Sequence, residues 1–304
     1  MTDSAQRPRR SRVVWITLIV LGVVVLAAAG VFASRVVGGL EAATQLDRAT
    51  LLVERAGHAV VAVDEVVRTD VSPAIVARAK DVDPRVAPAR IELEEALRLV
   101  DSAMPRLTDD EQRRATLLKA AAAARVEMLD AAPAILSADI KAADAMPLAI
   151  EAWASTLAAG RLADRAVGEY NKLTKPGVQA GATFNAQAEG ALAHSRDLFS
   201  RAATAFPEAR LERYSTYLDQ KAQQVALLRR AAIAWLAGRF AEANSLIVAY
   251  NAQGATSAAT IRQLPATPSV AVADAHELLA DSATATYFAA RTKASTADKA
   301  FKAR

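Results

Sequence analysis

The amino-acid sequence predicts an all-α protein, in which one N-terminal transmembrane helix is followed by an extracytoplasmic antiparallel helical bundle. Three observations carry this expectation. Residues 13–33, VVWITLIVLGVVVLAAAGVFA, form a 21-residue run without a charge, long enough as a helix to cross the hydrocarbon core of a bilayer. Beyond it the chain is dominated by alanine, leucine, arginine and glutamate, which favour helices, and the 304 residues include only 12 glycines and 11 prolines. No run alternates between apolar and polar residues within turn signals, as a strand would.

The first element is the anchor. Val13, Trp15, Leu18, Leu21, Leu26 and Phe32 are its expected membrane residues, with Trp15 and Phe32 near its two ends. Arg7, Arg9, Arg10 and Arg12 precede it against one acid, Asp3, whereas only Arg35 lies close on the far side. Positive residues stay cytoplasmic. The expected location is therefore the cell membrane, with the N-terminus inside and the remaining 271 residues outside. The competing expectation is a cleaved signal peptide, since Val31-Phe32-Ala33 offers small residues at a cleavage site, but the apolar run is longer than a signal peptide's.

Gly38-Gly39 is a hinge candidate, because glycine weakens a helix locally. Residues 40–68 read as one long helix with two rows on one face: Leu46, Val53, Val60 and Val67, and Ala42, Ala49, Ala56 and Val63. The seven-residue spacing is that of a coiled coil. It permits a homo-oligomer through 40–68, while Leu51, Leu52, Val61 and Val66 widen the stripe and favour packing within the chain. Residues 70–88 read as a connector with three prolines and a short helix over 73–81. The next helix, 91–104, ends at Pro105, and Thr108-Asp-Asp-Glu111 is a capping box opening another that runs to about Ala132. Pro133 and Pro147 are expected to cut the next stretch of chain into short helices. Asn171–Gly181 is the expected boundary within the body, with a helix over 183–206 after it and another from Pro207 to Ala237. Gly238 should break the chain before a partner helix over 240–251. Ser269 should cap the last helix, which frays toward Lys302.

Aromatic residues divide the exterior portion. None lies between Ala33 and Ala152, and 13 occur from Trp153 onward. The expected layout is a cytoplasmic basic tail (1–12), the anchor (13–33), a membrane-proximal helical region without aromatics (34–152), an aromatic-containing helical bundle (153–290) and a basic C-terminal tail (291–304). Aromatic area builds cores and pockets alike. Trp153, Tyr214, Tyr217, Trp235, Phe240 and Tyr250 are thus the candidate interaction or pocket residues, with core packing the first expectation for Tyr214, Trp235 and Phe240.

Charge and composition exclude several functions. The net charge of +4 arises in the tails, which carry +3 and +4 and leave the body near −3. A nucleic-acid partner would call for a basic stripe on the folded body, so none is expected. With no cysteine there is neither a disulfide nor a thiol nucleophile. His58, His194 and His276 lack a second ligand at metal spacing, and His58 falls opposite the apolar rows of its helix. No phosphate loop, nucleophile elbow or Ser-x-x-Lys occurs. The adjacent acids Glu94-Glu95 point in different directions on a helix, and Asp109-Asp110-Glu111 suit a helix N-terminus. No cofactor is implied.

Residues 227–250, LLRRAAIAWLAGRFAEANSLIVAY, resemble one tetratricopeptide helix pair. Gly238-Arg239-Phe240 and Glu242-Ala243 match that family's turn and second-helix opening, and Ala231 its small position. Arg230 stands where the family prefers leucine, and the 34-residue period does not recur. Ala159-Gly160-Arg161-Leu162 echoes the turn faintly, with Arg165 in place of the expected alanine. The resemblance implies a helical hairpin. Residues 115–146 also align without gaps to 215–246, with eight of 32 positions identical, which suggests a duplicated unit or shared composition.

The expected function is non-enzymatic: a single-pass envelope protein whose exterior helices act as a protein-interaction or scaffold module, with a protein partner in the envelope. The alternative is a ligand-binding or sensory bundle using the aromatic half as a pocket, and a third class is an enzyme of unrecognised type. Only 12 residues precede the span, so a signal would have to pass to a partner.

Overall fold

The computed structural model describes the backbone of residues 10–69 and 73–302, with side chains over 38–69 and 74–302. It contains helices α1 (Arg10–Val67), α2 (Pro73–Ala103), α3 (Asp109–Tyr170), α4 (Lys175–Ala205), α5 (Arg213–Leu236), α6 (Phe240–Ile261) and α7 (Pro268–Lys302), with single 3-10 turns at Met104–Arg106 and Pro207–Ala209. Among the described residues there is no strand, and the all-α bundle expected from composition is what forms. Among the described residues no helix is long and apolar enough to cross a membrane. The run 13–33, with Val13, Trp15, Leu18, Leu21, Leu26 and Phe32, belongs to α1 by its backbone, but its side chains lie outside the described residues.

The chain divides into two units. One comprises Met1–Ala62, Arg85–Asp130 and Tyr287–Arg304, the other Val63–Pro84 and Ala131–Thr286. The division crosses α3 at 130/131, whereas aromatic content changes at 152/153 of the same helix.

In the first unit the rows of α1 are buried within the single chain at Ala42, Leu46, Ala49, Val53, Ala56 and Val60, whereas Val67 beyond them is half-buried. Leu93, Ala96 and Val100 of α2 and Ala115, Leu118 and Ala122 of α3 are buried as well, as are Tyr287, Ala290, Ala294 and Ala297 of α7. Each fully buried leucine contributes about 1.5–3 kcal/mol. Ion pairs fix the order and direction of the helices. Arg55–Glu92 and Arg106–Glu41 set α2 antiparallel to α1. Lys119–Asp101 and Arg90–Asp130 set α3 antiparallel to α2, and Arg125–Asp298 and Lys293–Glu127 set α7 antiparallel to α3. Leu51 and Val61 do not widen the buried stripe but are exposed, like His58. Among the described residues the C-terminal stretch does not fray as a basic tail but stays helical to Lys302. Ala294 and Ala297 are buried, Asp298 accepts two hydrogen bonds from Arg125, and Arg114 covers the Phe301 ring.

The second unit has its core where α3, α4, α5 and the start of α7 meet, around Ala149, Ala152, Leu198, Phe199, Leu211, Tyr214, Leu218 and Val272. A smaller cluster, Ala231, Ala234, Ala243 and Leu246, closes the α5–α6 hairpin.

Local signals account for the helix ends. The Glu111 carboxylate accepts from both the hydroxyl and the N–H of Thr108, at 2.7 and 2.9 Å, and these bonds hold its carboxyl below the usual range. Gly238 takes the left-handed conformation (φ 74°). Its N–H bonds the Trp235 carbonyl, and the Arg239 N–H bonds Ala234, the paired bonds of a Schellman ending. Thr174 caps α4 through Gly177 N–H, so the break expected over 171–181 shrinks to the few residues before it. Pro207 does not open the next long helix, since Arg210 (φ 49°) turns the chain before α5. The last helix starts at Pro268, one residue before the expected cap Ser269.

The prolines behave differently from expectation. Pro133 and Pro147 both lie inside α3, a helix of 62 residues, and Pro84 and Pro88 lie inside α2, which also absorbs the short helix expected at 73–81. A proline removes one hydrogen bond and strains the preceding turn. Here its neighbours are buried on both sides, Ala132, Ile135 and Leu136 around Pro133 and Ala145 and Ala149 around Pro147, and this packing carries the helix across. The same continuity overturns the duplicated unit: 115–146 is uninterrupted helix, whereas 215–246 contains the Gly238 turn.

Candidate functional site

Within the second unit, small residues on α3 leave space. Ala159, Gly160 and Ala163 face a cavity of about 320 Å³, which Leu192 of α4, Tyr217, Lys221, Gln224 and Val225 of α5, and Tyr250 of α6 complete. A methyl group built on Gly160 would touch nothing within 4 Å. On α5, residues 217, 221 and 224 succeed one another at four- and three-residue spacing and so share a face. The walls are apolar at Ala159, Ala163, Leu192 and Val225, all buried. Arg161 and Asp164 line the cavity as exposed residues, whereas Tyr217, Lys221 and Tyr250 are half-buried and Gln224 is buried.

Hydrogen bonds tie the polar lining together. The Lys221 ammonium donates to Gln224 Oε1 (3.0 Å), and Gln224 Nε2 donates to the Tyr250 carbonyl (3.5 Å). Burial pushes the Lys221 ammonium below its ordinary range, against the opposing pull of the Asp164 carboxylate. Burial raises the Tyr217 phenol, and burial with the Asp164 charge raises that of Tyr250. Both rings therefore keep their protons and can donate. Thr156, on the cavity wall, has its hydroxyl 2.7 Å from that of buried Ser195, beside the Ala152 carbonyl.

The six aromatic candidates separate into two groups. Trp153 meets Tyr214 edge-on at 5.9 Å and Tyr217 at 6.3 Å, and Tyr214 stacks on Phe199 at 5.1 Å. Tyr214 is buried and donates to the Pro265 carbonyl. Burial pushes its phenol up to about 12. Tyr217 and Tyr250 line the cavity itself, and Trp153 touches both Tyr217 and Tyr214. Trp235 and Phe240 do not join them. They meet edge-on at 5.9 Å beside the α5–α6 turn, where Trp235 is half-buried and Phe240 is 56% exposed, so Phe240 is not core. Lys221, Gln224, Asp164 and Arg161 are not among the residues that sequence reasoning selects. A signal for Lys221 exists: it sits between Leu218 and Val225 on the buried stripe of its helix, where a lysine needs a reason.

The histidines do not take part. His58 is exposed, His194 lies 3.4 Å from Glu151, and His276 Nε2 donates to the buried Asp139 carboxylate at 2.7 Å. Among the described residues no three His, Asp or Glu side chains gather as a metal site. A smaller hollow of about 210 Å³ lies beside Arg210, Arg213 and Leu278, and an open one beside Arg114 and Phe301 is lined by four residues. Neither brings together a desolvated charge and a set of donors. The chain matches no family model, no curated protein and no solved structure.

Proposed function

We propose that this chain is a single-span membrane protein whose second unit binds a small molecule in the cavity between α3, α4, α5 and α6, and that it acts as a sensory or carrier module without catalysing a reaction. The observation that carries the reading is the cavity: about 320 Å³, lined by apolar residues and by Tyr217, Tyr250, Gln224 and Lys221. This volume and lining suit a small-molecule site. Anchoring rests on the uncharged run 13–33 and the arginines before it, a pattern that favours the N-terminus in the cytoplasm and the helical body outside.

The full chain, purified in a mild detergent, is the material for the test. A small molecule recovered by mass spectrometry in near-stoichiometric amount, and lost from a folded Ala163→Phe variant that fills the cavity, supports the reading. Recovery of nothing, together with no thermal shift across a broad metabolite panel, refutes it. A reporter fused after Arg304 and active in the cytoplasm would refute the topology.

A second reading, a protein-interaction or scaffold module, is supported by a different feature. Ile233, Leu236, Phe240 and Val248 are exposed near the α5–α6 turn, and clustered exposed apolar residues mark interaction sites. Crosslinking in native membranes that captures a specific partner through wild-type α5–α6, and not through Phe240→Asp/Val248→Asp, would favour it. Burial of both apolar rows of α1 within one chain favours a monomer over a dimer through 40–68.

A further inference from the structure

We infer that the cavity selects a small organic anion, a carboxylate on an apolar body, and that Lys221 is the residue that selects it; this rests on the small-molecule reading above. Lys80, Lys119, Lys141, Lys172 and Lys293 each pair with a carboxylate on the protein. Lys221 does not. Its hydrogen-bond partner is the neutral Gln224 carbonyl oxygen, and the one carboxylate whose charge reaches it, Asp164, is exposed and outside ion-pair distance. A cation withdrawn from water without a counter-ion is costly, and an entering anion offsets that cost. Asp164 shares the cavity with Arg161, three residues before it on the same helix. With Lys221 the lining therefore carries two cations against one carboxylate, a net positive charge.

The remaining lining fits the same ligand. A carboxylate accepts several hydrogen bonds at once. Tyr217 and Tyr250 line the same space as Lys221 with hydroxyls that stay protonated, and Gln224 adds an amide. Leu192, Val225, Ala159 and Ala163 add apolar lining beside these groups. The site thus offers both an unpaired cation and apolar surface. It disfavours a cationic ligand, which would meet the ammonium, and a neutral one can offer that ammonium only a hydrogen bond, without the charge that makes such a bond strong.

Three probes of one shape separate these cases: phenylacetate, phenylacetamide and phenethylamine, titrated calorimetrically into the full chain in detergent at pH 7. Phenylacetate is expected to bind at least tenfold more tightly than the amide, and the amine not measurably. In Lys221→Met the preference for acid over amide should fall to about one while amide binding persists, and Lys221→Arg should restore it. Lys221→Gln serves as a second neutral variant if circular dichroism shows Lys221→Met to be misfolded. Equal binding of acid and amide to the wild type, or a preference retained in both neutral variants, overturns the inference, as does failure of all three probes at millimolar concentration. The small-molecule reading is judged separately, by the molecule recovered from the purified chain and its loss on Ala163→Phe.

Discussion

Tyr170 and Gly181 form a contact whose strength can be worked out and measured. Gly181 is buried in α4, and a methyl group built there would lie 2.5, 2.7 and 2.9 Å from Cε1, Cδ1 and Cζ of the Tyr170 ring. Three ring atoms inside normal contact distance cannot all be relieved by a small side-chain shift. Overpacking of this kind costs about 1–3 kcal/mol. Against it, alanine in place of a helical glycine gains about 0.5–1 kcal/mol. Gly181→Ala should therefore destabilise by about 1 kcal/mol. In a Tyr170→Ala background the clash is gone and the same substitution should stabilise by about 0.5–1 kcal/mol, a reversal of sign with a coupling of about 2 kcal/mol. Urea denaturation of the full chain in detergent, monitored by tryptophan fluorescence, reads this well, because Trp153 and Trp235 both belong to the second unit. If Gly181→Ala changes stability equally in both backgrounds, the ring does not occupy that space and the reasoning fails.

Three further outcomes are expected. Tyr170→Phe should cost nothing or stabilise slightly at neutral pH, because the hydroxyl it removes is buried without a partner; a loss above about 1 kcal/mol would point to a bond the structure lacks. The Tyr170 and Tyr214 phenols are raised by burial to about 12. Their stabilising contribution is therefore complete below the unfolded value near 10 and is lost as pH rises through about 12, so the urea midpoint should fall over that window, and less steeply after Tyr214→Phe. Gly238→Ala should destabilise by about 1 kcal/mol, since alanine is strained at φ 74°, whereas Gly160→Ala, with open space before it, should stabilise in the same urea titration.

The features legible in the sequence are those decided locally. The Thr108–Glu111 box, the Gly238 ending and the two rows of α1 each depend on spacing within a few turns of one helix, and the structure places them where spacing puts them. The prolines mislead because their effect is decided elsewhere. Propensity alone breaks a helix at Pro133 and Pro147, while burial of Ile135, Leu136, Ala145 and Ala149 by distant segments holds it together. The aromatic candidates are half legible. Residue type identifies Tyr217 and Tyr250 as pocket material but does not separate them from Phe240, since all three lie on helices with apolar stripes and only the fold decides which stripe is covered. Lys221 and Asp164 are invisible as a pair, being 57 residues apart on different helices.

The division of the chain bears on the order in which it can fold during synthesis. Every residue of the second unit lies between Val63 and Thr286, whereas the first needs both ends, Met1–Ala62 and Tyr287–Arg304. The second unit is therefore complete before the last residues are made. The first must wait for them, because Asp298 closes on Arg125 across 173 residues, and contacts of such separation form late. Until then Arg114, Arg125 and Glu127 of α3 lack their partners Phe301, Asp298 and Lys293, and that interval is when the nascent chain is most exposed to wrong partners. The unit that holds the cavity thus matures first, on a chain whose other unit is still waiting for the end of α7.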